Sequence, residues 1–177
     1  MIIESEFRAP WWLKNCHLQT LWSSIFRQFL PSTTSLQRLE LEDGDFIDLD
    51  WLDAGKVDPK TPILLLLHGL EGSKDSTYIQ SILRSIKSNS QNWNVVVMNF
   101  RGCSGEINRL PRSYHSGDTK DLILVLEGLR KQYPESTIMA AGFSLGGNVL
   151  LKYLGESQHD SIIDIAAAVS VPLLLAN

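Results

Sequence analysis

The stretch AAGFSLGGNVLLKYL, residues 140–154, sets one hydroxyl, Ser144, between Gly142 and Gly146. Gly142-Phe143-Ser144-Leu145-Gly146 fits G-x-S-x-G, and it falls where an apolar strand pattern gives way to a helical one. A serine at such a corner suits nucleophilic attack. A strained backbone lifts its Oγ clear of the sheet. The helix that follows presents unpaired N–H groups carrying partial positive charge, which suit an oxyanion. The Leu145 N–H, next after the serine, is one expected donor. The second is expected from the loop after ILLLLHG, residues 63–69, and there the Leu70 N–H is the candidate. The competing reading is a tight structural turn with an incidental serine. The setting, after the third parallel-type strand and with a His-Gly loop two strands earlier, favours a nucleophile elbow.

Nucleotide chemistry fits the same loops poorly. A P-loop needs G-x-x-x-x-G-K-[ST], and GLEGSKDS after the strand has its second glycine too early. A dinucleotide fingerprint needs G-x-G-x-x-G, and Ser144 occupies the second glycine, where a pyrophosphate must approach the backbone. Cys16 and Cys103 lie far apart and form no zinc pattern, so no metal or organic cofactor is implied. They read as reduced thiols of a cytoplasmic protein.

The elements that must hold these residues follow from hydrophobic patterning. LQRLELEDGDFIDLDWLD alternates apolar and polar residues around Asp43-Gly44, which predicts a two-strand hairpin over 36–42 and 45–52. Continuous apolar runs at 63–69, 94–100, 137–143 and 163–171 read as strands buried on both faces. Helical patterns at 76–89, 119–133 and 145–157 separate them. Strand–helix alternation predicts a mostly parallel sheet with helices on both faces, an α/β architecture whose ligands bind at the strand carboxyl ends. The glycine-rich loops at 68–72, 101–105 and 142–147 all fall at those ends.

Residues 1–35 carry three of the five tryptophans. Leu18, Leu21, Trp22, Ile25, Phe26 and Phe29 have helical spacing, so this segment reads as a short helix ended by Pro31, an aromatic clamp on the main body at 36–177. The chain of 177 residues, 44% hydrophobic and 20% charged, is long enough for one globular domain with a sizeable core. A formal net charge of −4 without a basic stripe argues against nucleic acid. No secretory leader is expected at MIIESEFRAPWWLK, and IAAAVSVPLLLA is too short and too broken for a transmembrane segment.

With these residues in place, the chain resembles the YheT-like branch of the α/β-hydrolases. The matching stretches are PWWLKNCHLQT (10–20), LLLHGLEGSKDSTYI (65–79), NFRGCSGEINRLPRSYHSGDTKDL (99–122) and AAGFSLGGNVLLKYLGE (140–156). The resemblance implies an α/β-hydrolase fold, a Ser-His-Asp triad with Ser144 as nucleophile, and esterase or lipase-like action on a small-molecule carboxylic ester. In that fold the chain order is serine, acid, histidine. This chain stops at SVPLLLAN, right after the strand that follows the elbow helix, so the acid and the histidine are expected to be missing, along with the C-terminal strands. His159 and Asp160 read as a loop beyond the helix, far from Oγ. His115 reads as structural or pocket-lining, His68 as shaping the oxyanion loop, and His17 as part of the clamp. Arg101, Asp118, Lys120 and Asp121 read as loop and helix-cap charges. Two functions remain open: the amino-terminal part of a serine esterase, or a truncated, non-catalytic remnant. In either, the strand at 163–171 would present an unpaired sheet edge, prone to association.

Overall fold

The computed structural model describes residues 6–19, 22, 32–52, 60–89 and 92–173. They fall in two compact units, Met1–Leu30 and Pro31–Asn177. In the first, a 3-10 turn at Trp11–Leu13 leads into helical backbone at 16–19. The Asn15 Oδ1 accepts the His17 N–H at 2.9 Å, as a helix-opening side chain does. Trp12 and Trp22 meet edge to face at 4.8 Å. Leu21, Ile25, Phe26, Phe29 and Pro31 of the expected helix lie outside the described residues.

The second unit is built on a six-stranded sheet of order β1-β2-β4-β3-β5-β6. β1 (Thr34–Glu40) and β2 (Phe46–Leu52) form an antiparallel hairpin. The register pairs Glu40 with Phe46, so five residues make the turn where the sequence suggested a two-residue Asp-Gly loop. The loop is longer because it is tied from within. Leu41 N–H donates to the Asp45 carbonyl at 2.9 Å, and Asp43 Oδ1 accepts the Asp45 N–H at 3.0 Å. Gly44, at φ +85°, takes the left-handed position.

β3 (Ile63–Leu67), β4 (Asn94–Asn99), β5 (Ile138–Phe143) and β6 (Ile165–Val169) run parallel. Between them lie α1 (Thr77–Ser88), α2 (Lys120–Gln132) and α3 (Leu145–Ser157). Each expected strand and helix of this half is present, with ends moved by a few residues at most. One face of the sheet packs Leu65, Leu67, Val96 and Met98 against Leu122, Val125 and Leu126 of α2 and Val149, Leu150 and Tyr153 of α3. The other packs Leu66, Val95 and Val97 against Ile79, Leu83 and Ile86 of α1. The apolar runs of β3 and β4 are therefore continuous because both of their faces are covered.

β6 departs from expectation. Its IAAAV run was read as buried on both faces, yet all five residues are exposed, Ile165 to 58% and Val169 to 42%. It pairs with β5 alone among the described strands, so its outer edge and much of its side-chain surface stay open.

Candidate active site

β5 ends at Phe143 and α3 begins at Leu145, so strand becomes helix across one residue, Ser144. So abrupt a reversal brings backbone against backbone. A Cβ on Gly142 would lie 2.5 Å from the Gly146 carbonyl oxygen. One on Gly146 would strike the carbonyls of Leu67 and His68, and one on Gly147 would lie 2.5 Å from Val171 Cγ2. At Gly142 and Gly146 the obstacle is backbone, which leaves no room for a side chain, and at Gly147 it is a valine methyl. Ser144 carries the conformational cost at φ +50°, ψ −115°. Such a backbone costs a non-glycine residue on the order of 1–3 kcal/mol. It is anchored by its N–H, which donates to the Val169 carbonyl at 2.9 Å, and by its carbonyl, which accepts the Asn148 N–H at 3.1 Å. The residue is exposed, and its Oγ makes no hydrogen bond among the described residues.

The loop after β3 lies directly alongside. A Cβ on Gly69 would stand 3.3 Å from Ser144 Cβ. Its N–H groups can be followed one by one. Gly69 N–H donates to the Tyr78 hydroxyl at 2.8 Å and Glu71 N–H to the Tyr114 hydroxyl at 2.7 Å. Gly72 N–H donates to the Gly69 carbonyl at 3.0 Å, Ser73 N–H to Ser76 Oγ at 3.0 Å, and Lys74 N–H to Asn99 Oδ1 at 3.1 Å. Leu70 N–H alone in this run has no partner among the described residues, and the Leu70 side chain is 69% exposed. Leu145 N–H, at the first turn of α3, is likewise unclaimed, as helix geometry requires. The three residues singled out by sequence, Ser144, Leu70 and Leu145, thus belong to two adjoining backbone segments.

His68 is wholly buried behind this loop. Its Nε2 accepts the Phe100 N–H at 3.1 Å, so Nδ1 carries the proton and donates to the Gly69 carbonyl at 2.7 Å. Burial pushes its pKa down, only partly opposed by the Gly69 bond, so the ring is held neutral. With both nitrogens engaged, His68 shapes the loop and has no free nitrogen with which to take a proton from Ser144. The His115 Nδ1 accepts the Gly117 N–H at 3.1 Å. That turn neighbours Lys152, about 12 Å along α3 from Ser144 at 1.5 Å per residue. His159 follows α3 at its far end. His17 belongs to the other unit.

The sequence reading missed two things. Tyr78 and Tyr114 carry no local signal, because their partners are backbone groups in another segment. Arg101 was taken for a loop charge, yet it is buried at the centre of a polar cluster. Its Nε and Nη2 form a two-pronged bond to Asp121 at 2.7 and 2.8 Å, and its Nη1 reaches Asp45 at 2.8 Å and Asp43 at 3.0 Å. Asn108 and the Arg109 N–H complete the Asp45 carboxylate. Burial opposes ionisation of Asp45, but the bonds from Asn108, Arg109 and Arg101 prevail and hold it at about 2. Charge pairing of this density pins the long connection 100–119 against the hairpin turn. The apolar wall between this cluster and the loop is a stack, with Phe100 and Tyr114 at 5.0 Å and the edge of His68 on Phe100 at 4.9 Å.

Two cavities flank α3. One of about 650 Å³ is lined by Arg112, His115, Lys120, Lys152, Asp118 and Glu156 among others. The other, about 360 Å³, includes Asn148, Leu151, Pro172 and Leu173. Asn148 Nδ2 is buried with no hydrogen-bond partner among the described residues. No set of three or more His, Cys, Asp or Glu suited to a metal ion occurs among the described residues, and no helix among them is long and apolar enough to cross a membrane.

The family described as alpha/beta hydrolase fold matches residues 62–173. Across 171 residues the chain is 42% identical to "Putative esterase YheT" of Escherichia coli (strain K12), covering 97% of this chain and 50% of that protein. It is 38% identical over 157 residues to "Phospholipase ABHD3" of Mus musculus, covering 84% of this chain and 38% of that one. The chain therefore spans about half the length, or less, of these curated relatives. Among solved structures, the Pyrococcus furiosus esterase Pf2001 superposes with a TM-score of 0.63 at 24% identity, over 85% of this chain and 58% of that one. An α/β serine hydrolase without a lid from Xanthomonas campestris gives 0.61 at 22%, over 85% and 67%. At such identities these two speak to the fold.

Proposed function

The chain belongs to the α/β hydrolase fold family, and we propose that it serves hydrolysis of a small-molecule carboxylic ester, with Ser144 as nucleophile and the Leu70 and Leu145 N–H groups as the oxyanion hole. The observation that carries the proposal is the elbow itself: an exposed serine at φ +50° whose Oγ is unclaimed, beside two unclaimed backbone N–H groups. In this reading a base takes the Ser144 proton as Oγ attacks the ester carbonyl carbon. The carbonyl oxygen gains the electron pair and is held by the two N–H donors. Collapse expels the alcohol, protonated by the same base, and water then releases the acid from the acyl-serine.

None of His17, His68, His115 or His159 is offered as the base. The proposal assigns the histidine and the acid to residues outside this sequence, in keeping with relatives about twice its length. Esterase, phospholipase and lipase are the activities that the relatives' names carry, and they support ester chemistry without selecting an acyl chain. The net charge of −4 and the absence of a basic stripe favour no nucleic-acid partner. Two cysteines outside any disulfide fit cytoplasmic residence.

A second reading has its own observation. β6 is open along its edge and exposed at all five residues, which suits a non-catalytic remnant that associates through that edge. Labelling by a fluorophosphonate, beside Ser144→Ala, separates the two. We expect the protein in its ester-hydrolysing form to label and to lose the label in the variant. A folded protein, tried as this chain and in its longest expressed form, that neither labels nor cleaves a short acyl ester would overturn the first reading in favour of the second.

A further inference from the structure

We propose that Tyr78 and Tyr114 are positioning residues that aim the Leu70 N–H by occupying the N–H groups on either side of it. The inference rests on the role given above to Ser144 and Leu70, and it concerns two residues to which the G-x-S-x-G motif gives no role. Three consecutive N–H groups, of Gly69, Leu70 and Glu71, leave a loop whose backbone must turn sharply. Glu71 sits in the left-handed region at φ +52°, a conformation that costs a side-chain-bearing residue energy and needs outside support. Support comes from two phenol oxygens on separate elements. Tyr78, in the first turn of α1, accepts the Gly69 N–H at 2.8 Å. Tyr114, in the connection between β4 and α2, accepts the Glu71 N–H at 2.7 Å. The donor between them is left without a partner.

Both phenols are themselves fixed. The Tyr78 ring rests on Phe143 at 5.0 Å, so one side chain ties the loop to the residue just before Ser144. The Tyr114 ring stacks on Phe100, which receives the edge of His68, whose Nδ1 holds the Gly69 carbonyl. Loop, elbow and the connection after β4 thus close into one braced unit. Burial first, then a hydrogen bond with Cys103, pushes the Tyr114 phenol up to about 12, so this acceptor stays protonated and neutral across the working range. These tyrosines carry no proton in the reaction; they set where a backbone donor points. A misplacement of about 1 Å in such a site costs up to about a hundredfold in rate, and outright removal of a donor costs about a hundred- to a thousandfold.

The test uses the ester-hydrolysing form defined by the Ser144→Ala comparison, so a failure of that reading shows itself before this one is reached. Tyr78→Phe and Tyr114→Phe keep each ring and remove only the acceptor oxygen. We expect kcat for a short acyl ester to fall about ten- to a hundredfold in each, with KM moving less than about threefold and the pH–rate profile keeping its shape. Amide hydrogen exchange should rise at Gly69 in the first variant and at Glu71 in the second. Unchanged kcat in folded variants would overturn the inference, as would a loss confined to KM, or a shifted pH profile that marks a tyrosine as proton donor. Should both variants fail to fold, the phenols are structural supports only and the inference falls with them.

Discussion

Two connections leave the carboxyl ends of strands that flank β3, and they are held in opposite ways. The β5–α3 corner is held by exclusion. Gly142, Gly146 and Gly147 let backbone meet backbone, and the strain gathers on Ser144. The β4–α2 connection is held by attraction. Arg101 is clasped by acids that lie 20 residues on, in Asp121, and 56 residues back, in Asp45. The first arrangement is written in six adjacent residues. The second exists only once three distant segments meet. A local steric device suits a nucleophile that must be held in one strained conformation. A distributed charge cluster suits a long connection that has to support a neighbouring loop through Tyr114.

Four changes sharpen this contrast. Gly146→Ala should be one of the two most damaging, because its Cβ meets the Leu67 and His68 carbonyls, which cannot move without breaking β3. We expect a loss of roughly 3 kcal/mol or more, read as a collapse of folded yield or of the urea midpoint. Arg101→Met removes the attraction and leaves Asp45 and Asp121 buried without their partner. A loss of about 3–5 kcal/mol is expected, with partial recovery when Asp45→Asn and Asp121→Asn are added. If Arg101→Met alone is neutral in chemical denaturation, the cluster is not what holds the connection.

Acid should separate the two regions without mutation. The folded-state pKa of Asp45 lies below its ordinary value of 3.8, so its contribution is fully present above that value and is lost as pH falls toward about 2. The expected sign is stability falling with pH across this window, less steeply in Asp45→Asn. The elbow, held by sterics, contributes no such slope. The smallest effect runs the other way. Ser144→Gly should abolish phosphonate labelling yet raise the melting temperature slightly, by relief of about 1 kcal/mol of strain after glycine's own entropic cost. A destabilised Ser144→Gly protein would count against strain at this residue.

The strand–helix alternation, the parallel sheet and the elbow were legible because each rests on short-range pattern: continuous apolar runs, helical spacing, and glycine on both sides of a serine. The hairpin was legible in kind, but its turn was longer than Asp-Gly suggested, because Asp45 turns inward to Arg101. The exposure of β6 was not legible in its composition, since IAAAV reads as buried wherever it occurs, and burial depends on what covers it. Tyr78, Tyr114 and the neutral state of His68 were legible only as residues, without their partners. By itself, then, the order of amino acids determined the fold class and the corner that presents Ser144, because steric and hydrophobic rules act between near neighbours. Only the tertiary structure decided how the Leu70 N–H is left free, with Tyr78 and Tyr114 occupying its neighbours, and which buried charges answer one another. Those outcomes depend on contacts between segments that the chain keeps far apart until it folds.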